Sequence, residues 1–347
     1  MKIWMIFCAA LLSMAIAGFG GVALIPFLRK IHFGQTILEE GPAWHKSKQG
    51  TPIMGGFLFI VGSVVSTALF YAIWRMTGSG STELAESIPA SGWKLLALVI
   101  FSLLYSCIGF ADDYIKAVKK QNLGLTAVQK TAAQLVLCAG LLGILYLLGD
   151  RSTVIDFMFF RIDFHIFYYP VVIALMYYLS NAVNLTDGVD GLCGSVTTIS
   201  MLALTIISGV FKQYDIALYP ITIAGGCIGF LVWNLHPAKC FMGDTGSMYL
   251  GGAFAAIGIV LHMHLLLVLV GLVYVLEALS VVLQVSYFKY TKKRYGEGRR
   301  IFKMSPIHHH FELCKWSEYK IVTVFSLFGL LCAVFGAVFA VNHYAGF

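Results

Sequence analysis

The chain has 347 residues, of which 59% are hydrophobic and only 12% charged, with a mean hydropathy of +0.82. Soluble domains carry roughly twice that charge, so a water-soluble fold is excluded and lipid must be the main solvent. A net charge of +7 would suggest nucleic acid in a soluble chain, but here the basic residues lie between apolar runs, where they set orientation instead.

Apolar runs of about 20 residues, enough to cross a hydrocarbon core of about 30 Å, recur from end to end. Breaker residues between them predict ten spans near 4–26, 53–74, 94–111, 127–148, 167–183, 192–210, 218–234, 246–262, 264–288 and 320–342. The first run is longer than the apolar region of a signal peptide, about 7–15 residues, and lacks a clean cleavage site, so it reads as a helix. Between the fourth and fifth spans, Asp150 to Phe167 alternates aromatic and charged residues, a pattern that predicts a short strand pair on the outer surface. The fifth and sixth spans meet across a very short connection. His262 to His264 separates the eighth from the ninth. Lys289 to Lys320 is the one long polar loop, basic and rich in histidine. The expectation is an all-α integral membrane protein of one polytopic domain. Eight cysteines scattered singly, with no C-x-x-C, predict neither a disulfide framework nor a zinc site.

Lysine and arginine orient the bundle. With both termini outside (periplasmic), Arg29, Lys30, Lys46, Lys48, Lys116, Lys119, Lys120, Lys130, Lys239 and the basic residues from Lys289 to Lys320 fall on the cytoplasmic side. Only Lys2, Arg75, Lys94, Arg151, Arg161 and Lys212 remain outside. The same topology gathers five acids on the cytoplasmic side: Asp112 and Asp113 ending the third helix, Asp187 and Asp190 between the fifth and sixth, and Asp244 before the eighth. Carboxylates beside hydrocarbon need a positive partner. Mg²⁺, which takes one or two carboxylates plus substrate phosphate and water, suits scattered aspartates. Asp244, followed by Thr-Gly-Ser, also reads as a helix cap.

Other segments add polar groups. Asn184 to Leu192 sets two acids three apart with a glycine after each, so backbone or carboxylates can approach a polar ligand. Gly50-Thr51-Pro52-Ile53-Met54-Gly55-Gly56, after Lys46 and Lys48, combines a helix start with lysines, as a phosphate site requires. His308, His309 and His310 point about 100° apart on a helix, which favours phosphate contacts over one shared metal. Glu277, alone in the ninth span, suggests function without assigning one.

These motifs, in this order and over nearly the whole chain, resemble the phospho-N-acetylmuramoyl-pentapeptide transferases of bacterial membranes. The resemblance is carried by Lys48 with Gly50 to Gly56, Phe110-Ala111-Asp112-Asp113-Tyr114-x-Lys116, Asn184 to Leu192, Asn234-Leu235-His236-Pro237-Ala238, Phe241 to Gly246, and Met304 to Leu313. The aspartate motifs are shared with the wider polyprenyl-phosphate N-acetylhexosamine-1-phosphate transferases, and the histidine run narrows the match. Ile53 and Cys314 depart from the family's usual residues.

The resemblance implies transfer of phospho-N-acetylmuramoyl-pentapeptide from its UDP carrier to undecaprenyl phosphate, forming lipid I and releasing UMP in peptidoglycan synthesis. It implies Mg²⁺ on Asp244, Asp112 with Asp113 toward the lipid phosphate, and Lys116 and Lys130 toward the diphosphate. It further implies Lys48, Thr51, Asn184, Asp187, Asp190, Asn234, Phe241 and Gly243 around the nucleotide, with Phe241 on the uracil. His308, His309 and His310 fall near the sugar and phosphates, with Gln284 in the same region. The site then draws on residues 45–56, 110–130, 181–192, 234–247 and 284–312, facing the cytoplasm from a bacterial inner membrane. Membrane lipids are partners, nucleic acid is not, and a homodimer stays open. A sibling transferase acting on N-acetylglucosamine-1-phosphate is the nearest alternative. A transporter is a remoter one, against which the absence of an internal repeat and the one-sided acids both count.

Overall fold

In lipid each backbone N–H and C=O must be satisfied within its own segment, so the apolar runs fold as helices. The computed structural model describes residues 3–30, 50–78, 90–119 and 123–344. They form α1 (Ile3–Lys30), α2 (Phe57–Gly78), α3 (Ala90–Lys119), α4 (Ala127–Leu147), α5 (Tyr168–Leu185), α6 (Leu192–Val210), α7 (Tyr214–Asn234), α8 (Gly243–Val260), α9 (His264–Val270), α10 (Leu272–Tyr295), α11 (Ile307–Leu313) and α12 (Glu318–Tyr344). Among the described residues, nine of these are long and apolar enough to cross a membrane. The protein is an all-α, multi-pass membrane protein.

The tenth expected span is α8, too polar at its start to qualify by hydropathy. Its environment explains why this is tolerated: every residue from Thr245 to Val260 is buried, with α3 and α5 as its main neighbours and α2, α6 and α7 also in contact. Polar groups in this interior satisfy one another, as where the Tyr249 hydroxyl meets Ser63 Oγ at 2.8 Å and Tyr219 Oη at 2.9 Å.

Most helix ends shift by a few residues from the sequence expectation, and two spans differ more. Asp112 and Asp113 do not end the third helix; α3 continues to Lys119, and in that added stretch Lys116 forms an i,i+4 ion pair with Asp112. The expected span 264–288 is two helices, α9 and α10, which break at Gly271 where the Phe254 ring packs against the backbone.

The expected strand pair is present, with Val154–Asp156 (β1) antiparallel to Arg161–Asp163 (β2) and Ile155 opposite Ile162. At the same end, Asp150 accepts from Lys94 Nζ at 2.7 Å and His262 Nε2 at 2.9 Å, tying α3, the exit of α4 and the α8–α9 turn together. Burial pushes the Asp150 carboxyl up, but the bonds from His262 and Lys94 outweigh it and hold the pKa at about 2.

Candidate active site

Asp112 lies 18 positions beyond Lys94 on α3, about 27 Å along the axis, so the acids sit at the opposite end from the strand pair. Here α3 and α8 touch backbone to backbone. A methyl group on Gly109 would fall 2.0 Å from the Asp244 carbonyl oxygen, so only glycine allows the approach.

That approach places three carboxylates together, with one oxygen each from Asp112, Asp113 and Asp244 within 4.8 Å of one another. Their partners separate them. Asp113 accepts the backbone N–H of Asp244 at 3.1 Å, and the N–H and hydroxyl of Thr245 at 2.8 and 2.7 Å. No side chain of α8 itself caps this helix start, so Asp113 serves as its cap from across the bundle. Asp112 accepts the Leu125 N–H at 2.8 Å through Oδ1, and its Oδ2 pairs with Lys116 at 2.5 Å.

Asp244 collects the most positive charge. Its Oδ2 meets Lys130 Nζ at 2.9 Å and Lys116 Nζ at 3.2 Å, while Oδ1 accepts Asn184 Nδ2 at 3.0 Å. Asn184 also donates to Ser247 Oγ at 2.7 Å, and Thr126 with Gln129 forms the capping box that starts α4 just before Lys130. Asp112 and Asp244 fit a divalent cation, since the Lys116 ammonium already bridges their oxygens and two carboxylates are what such an ion takes from protein. Asp113 does not fit it equally, because its oxygens are taken by the N–H and hydroxyl donors that start α8, whereas Oδ2 of Asp112 and of Asp244 pair with lysine ammoniums, whose charge a metal ion can replace.

The 186–191 turn continues from Asn184. Asp190 is buried there; its Oδ2 accepts Ala238 N–H at 3.0 Å and pairs with His236 Nδ1 at 3.1 Å, while its N–H donates to Glu318 at 3.1 Å. Asn234 accepts Gly191 N–H at 3.1 Å and donates to the Cys240 carbonyl at 3.0 Å, so its amide joins two loops. Thr51 and Asp190 line a common cavity of about 760 Å³ with His236, Trp316 and Glu318. Asp187 is half-buried on the turn, and Phe241 is half-buried with its backbone paired to Pro52 and Gly55. Gly243, at φ 71°, opens α8 against Asp113.

The histidines diverge. His308 is wholly buried and pairs with Glu277 at 3.0 Å, His309 meets Glu312 at 2.5 Å, and His310 accepts the Lys303 N–H at 3.1 Å. Gln284 accepts the N–H groups of Ile301 and Phe302 at 3.0 Å and donates to the Phe302 carbonyl at 3.1 Å, pinning that loop. Lys48 lies outside the described residues.

The expected residues thus form a charged cluster (Asp112, Asp113, Lys116, Lys130, Asn184, Asp244) and a turn region (Thr51, Asp187, Asp190, Asn234, His308). Gln284 and His310 face the 299–303 loop. Sequence reasoning quoted His236 only within the Asn234 to Ala238 motif, without a role, and did not find Glu318, whose one local signal was a first-turn acid. It flagged Glu277 without a partner.

Residues 95–262 match the family model described as glycosyl transferase family 4. The chain is 43% identical over 339 residues to the phospho-N-acetylmuramoyl-pentapeptide-transferase of Shouchella clausii, covering 97% of this chain and 98% of the relative. Relatives of the same name from Bacillus cytotoxicus and Bacillus subtilis are 45% and 42% identical, each match covering 90% of this chain and 90% and 91% of the respective relative. Similarity at this level, end to end, across the segments that build the charged cluster, means that the chain belongs to the phospho-N-acetylmuramoyl-pentapeptide-transferase family.

Proposed function

We infer that the protein transfers phospho-N-acetylmuramoyl-pentapeptide from UDP-N-acetylmuramoyl-pentapeptide to undecaprenyl phosphate, yielding lipid I and UMP in peptidoglycan synthesis. The observation that carries this reading is the pair of lysines converging on Asp244 beside Asp112, at one end of the helices. Phosphoryl transfer depends on positioning and charge neutralisation, and that end of the bundle offers both cations and carboxylates. A lipid phosphate at headgroup level and a soluble nucleotide can meet there. The charge distribution supports placing this end at the cytoplasmic face of a bacterial inner membrane, with both termini outside.

Asp244, with Asp112 opposite, would hold Mg²⁺, which neutralises diphosphate charge and improves UMP as a leaving group. Lys116 and Lys130 bind the diphosphate oxygens, exchanging their carboxylate partners for phosphate. Asp112 positions the acceptor, because a phosphate nucleophile is ionised at neutral pH and needs no base. Asp113 holds α8 in place so that Asp244 faces the substrate. Thr51, Asp187, Asp190 and Phe241 form the nucleotide seat together with Lys48, while Asn234 keeps its loops in register.

The test is UMP release by purified protein given UDP-N-acetylmuramoyl-pentapeptide, undecaprenyl phosphate and Mg²⁺. Release that requires all three is expected. No release, or release only with UDP-N-acetylglucosamine as donor, overturns the assignment.

A further inference from the structure

Glu277 and His308 are both wholly buried, on α10 and α11. Glu277 Oε2 lies 3.0 Å from His308 Nδ1 and 3.4 Å from the His308 backbone nitrogen. A carboxylate in an apolar helix is expensive to bury, and this pair is not built for stability. Glu277 Oε1 and His308 Nε2 are both buried without a hydrogen-bond partner. A well-packed apolar pair of similar size would avoid both penalties.

The free ring edge has a definite direction. A Cβ added to Gly188 would sit 2.1 Å from His308 Nε2, so the imidazole edge presses on the backbone of the 186–191 turn, between Asp187 and Asp190. The rest of the turn is gripped as well: Asn234 holds Gly191, His236 and Ala238 hold Asp190, and Asn184 just before it is fixed to Asp244. The ring is the contact at the turn's centre, and Glu277 fixes which ring edge faces it.

We propose that Glu277 is a positioning residue of the transfer reaction, acting through His308 and Gly188 to set the turn that carries Asp187 and Asp190. The inference takes that turn as the nucleotide seat, as proposed above. Losing the carboxylate frees the ring to rotate, and the turn shifts relative to the Asp244 cluster. Nucleotide binding then suffers more than the chemical step, because the groups at Asp244 and Asp112 are untouched.

The experiment compares full-length wild type, Glu277→Gln, Gly188→Ala and the double variant in detergent, measuring kcat, the KM for UDP-N-acetylmuramoyl-pentapeptide and the thermal midpoint. Each single variant should raise KM by about tenfold while kcat falls by less than about threefold. The double variant should be no worse than the worse single one, since both act on one contact. A KM unchanged in both single variants, a lowered thermal midpoint without a KM change, or multiplying effects in the double variant would overturn the proposal. Should Glu277→Gln yield no folded protein, Gly188→Ala, which keeps the carboxylate, carries the same expectation. Wild-type protein that released no UMP would overturn the transferase reading and this inference with it, whereas active wild type with unaltered variant KM sinks the inference alone.

Discussion

Asp113 on α3 and Thr245 on α8 are joined twice, the Asp113 carboxylate accepting the Thr245 backbone N–H at 2.8 Å and its hydroxyl at 2.7 Å. This fastens the start of the central helix to its principal neighbour. Asp113→Asn, which turns one acceptor into a donor, should therefore lower the thermal midpoint, with a stability loss of about 1–3 kcal/mol. Asp112→Asn should instead reduce kcat with a smaller change in the midpoint. Thermal melts and initial rates on the two variants decide whether the neighbours divide in this way.

Asp244 receives Lys130, Lys116 and Asn184 at once. Asp244→Asn should cut kcat by about a hundredfold or more through lost charge placement, and added Mg²⁺ should not restore it. Rates titrated against Mg²⁺ in wild type and variant make the comparison; recovery at high metal would assign Asp244 a weaker role.

Phe241, assigned above to the proposed nucleotide seat, is half-buried, and its backbone is paired to Pro52 and Gly55. These main-chain bonds do not involve the ring, so truncation leaves them intact. Phe241→Ala should raise the nucleotide KM by roughly three- to tenfold, the size of one aromatic contact, with kcat little altered.

At the other end of the bundle, Asp150 has its carboxyl held at about 2 because the His262 and Lys94 bonds outweigh burial. A depressed folded pKa contributes stability that is present above the ordinary carboxylate range near 4 and is lost as pH falls toward 2. Asp150→Asn should lower the thermal midpoint at pH 7, and the gap to wild type should narrow at pH 3. Equal midpoints at pH 7 would remove this clamp from the account of stability.

Composition and hydropathy by themselves determined the solvent, the helical class and the position of nearly every span, because lipid allows a long apolar run few folds other than a helix. Motif content determined which residues to watch, and Asp112, Lys116, Lys130, Asn184 and Asp244 do meet. What those residues do was legible only in the tertiary structure. Asp112 and Asp113 are neighbours in sequence, yet a helix turns about 100° per residue, so one faces Lys116 and the other the start of α8. Asn234 and Gln284 carry amides that hold loops, and Glu277 finds His308 31 positions away. The partner of Asp113 is 132 positions distant. Periodicity and spacing report on a residue's own helix, whereas the identity of a polar partner is set by which helices pack together, and packing is decided by the whole bundle.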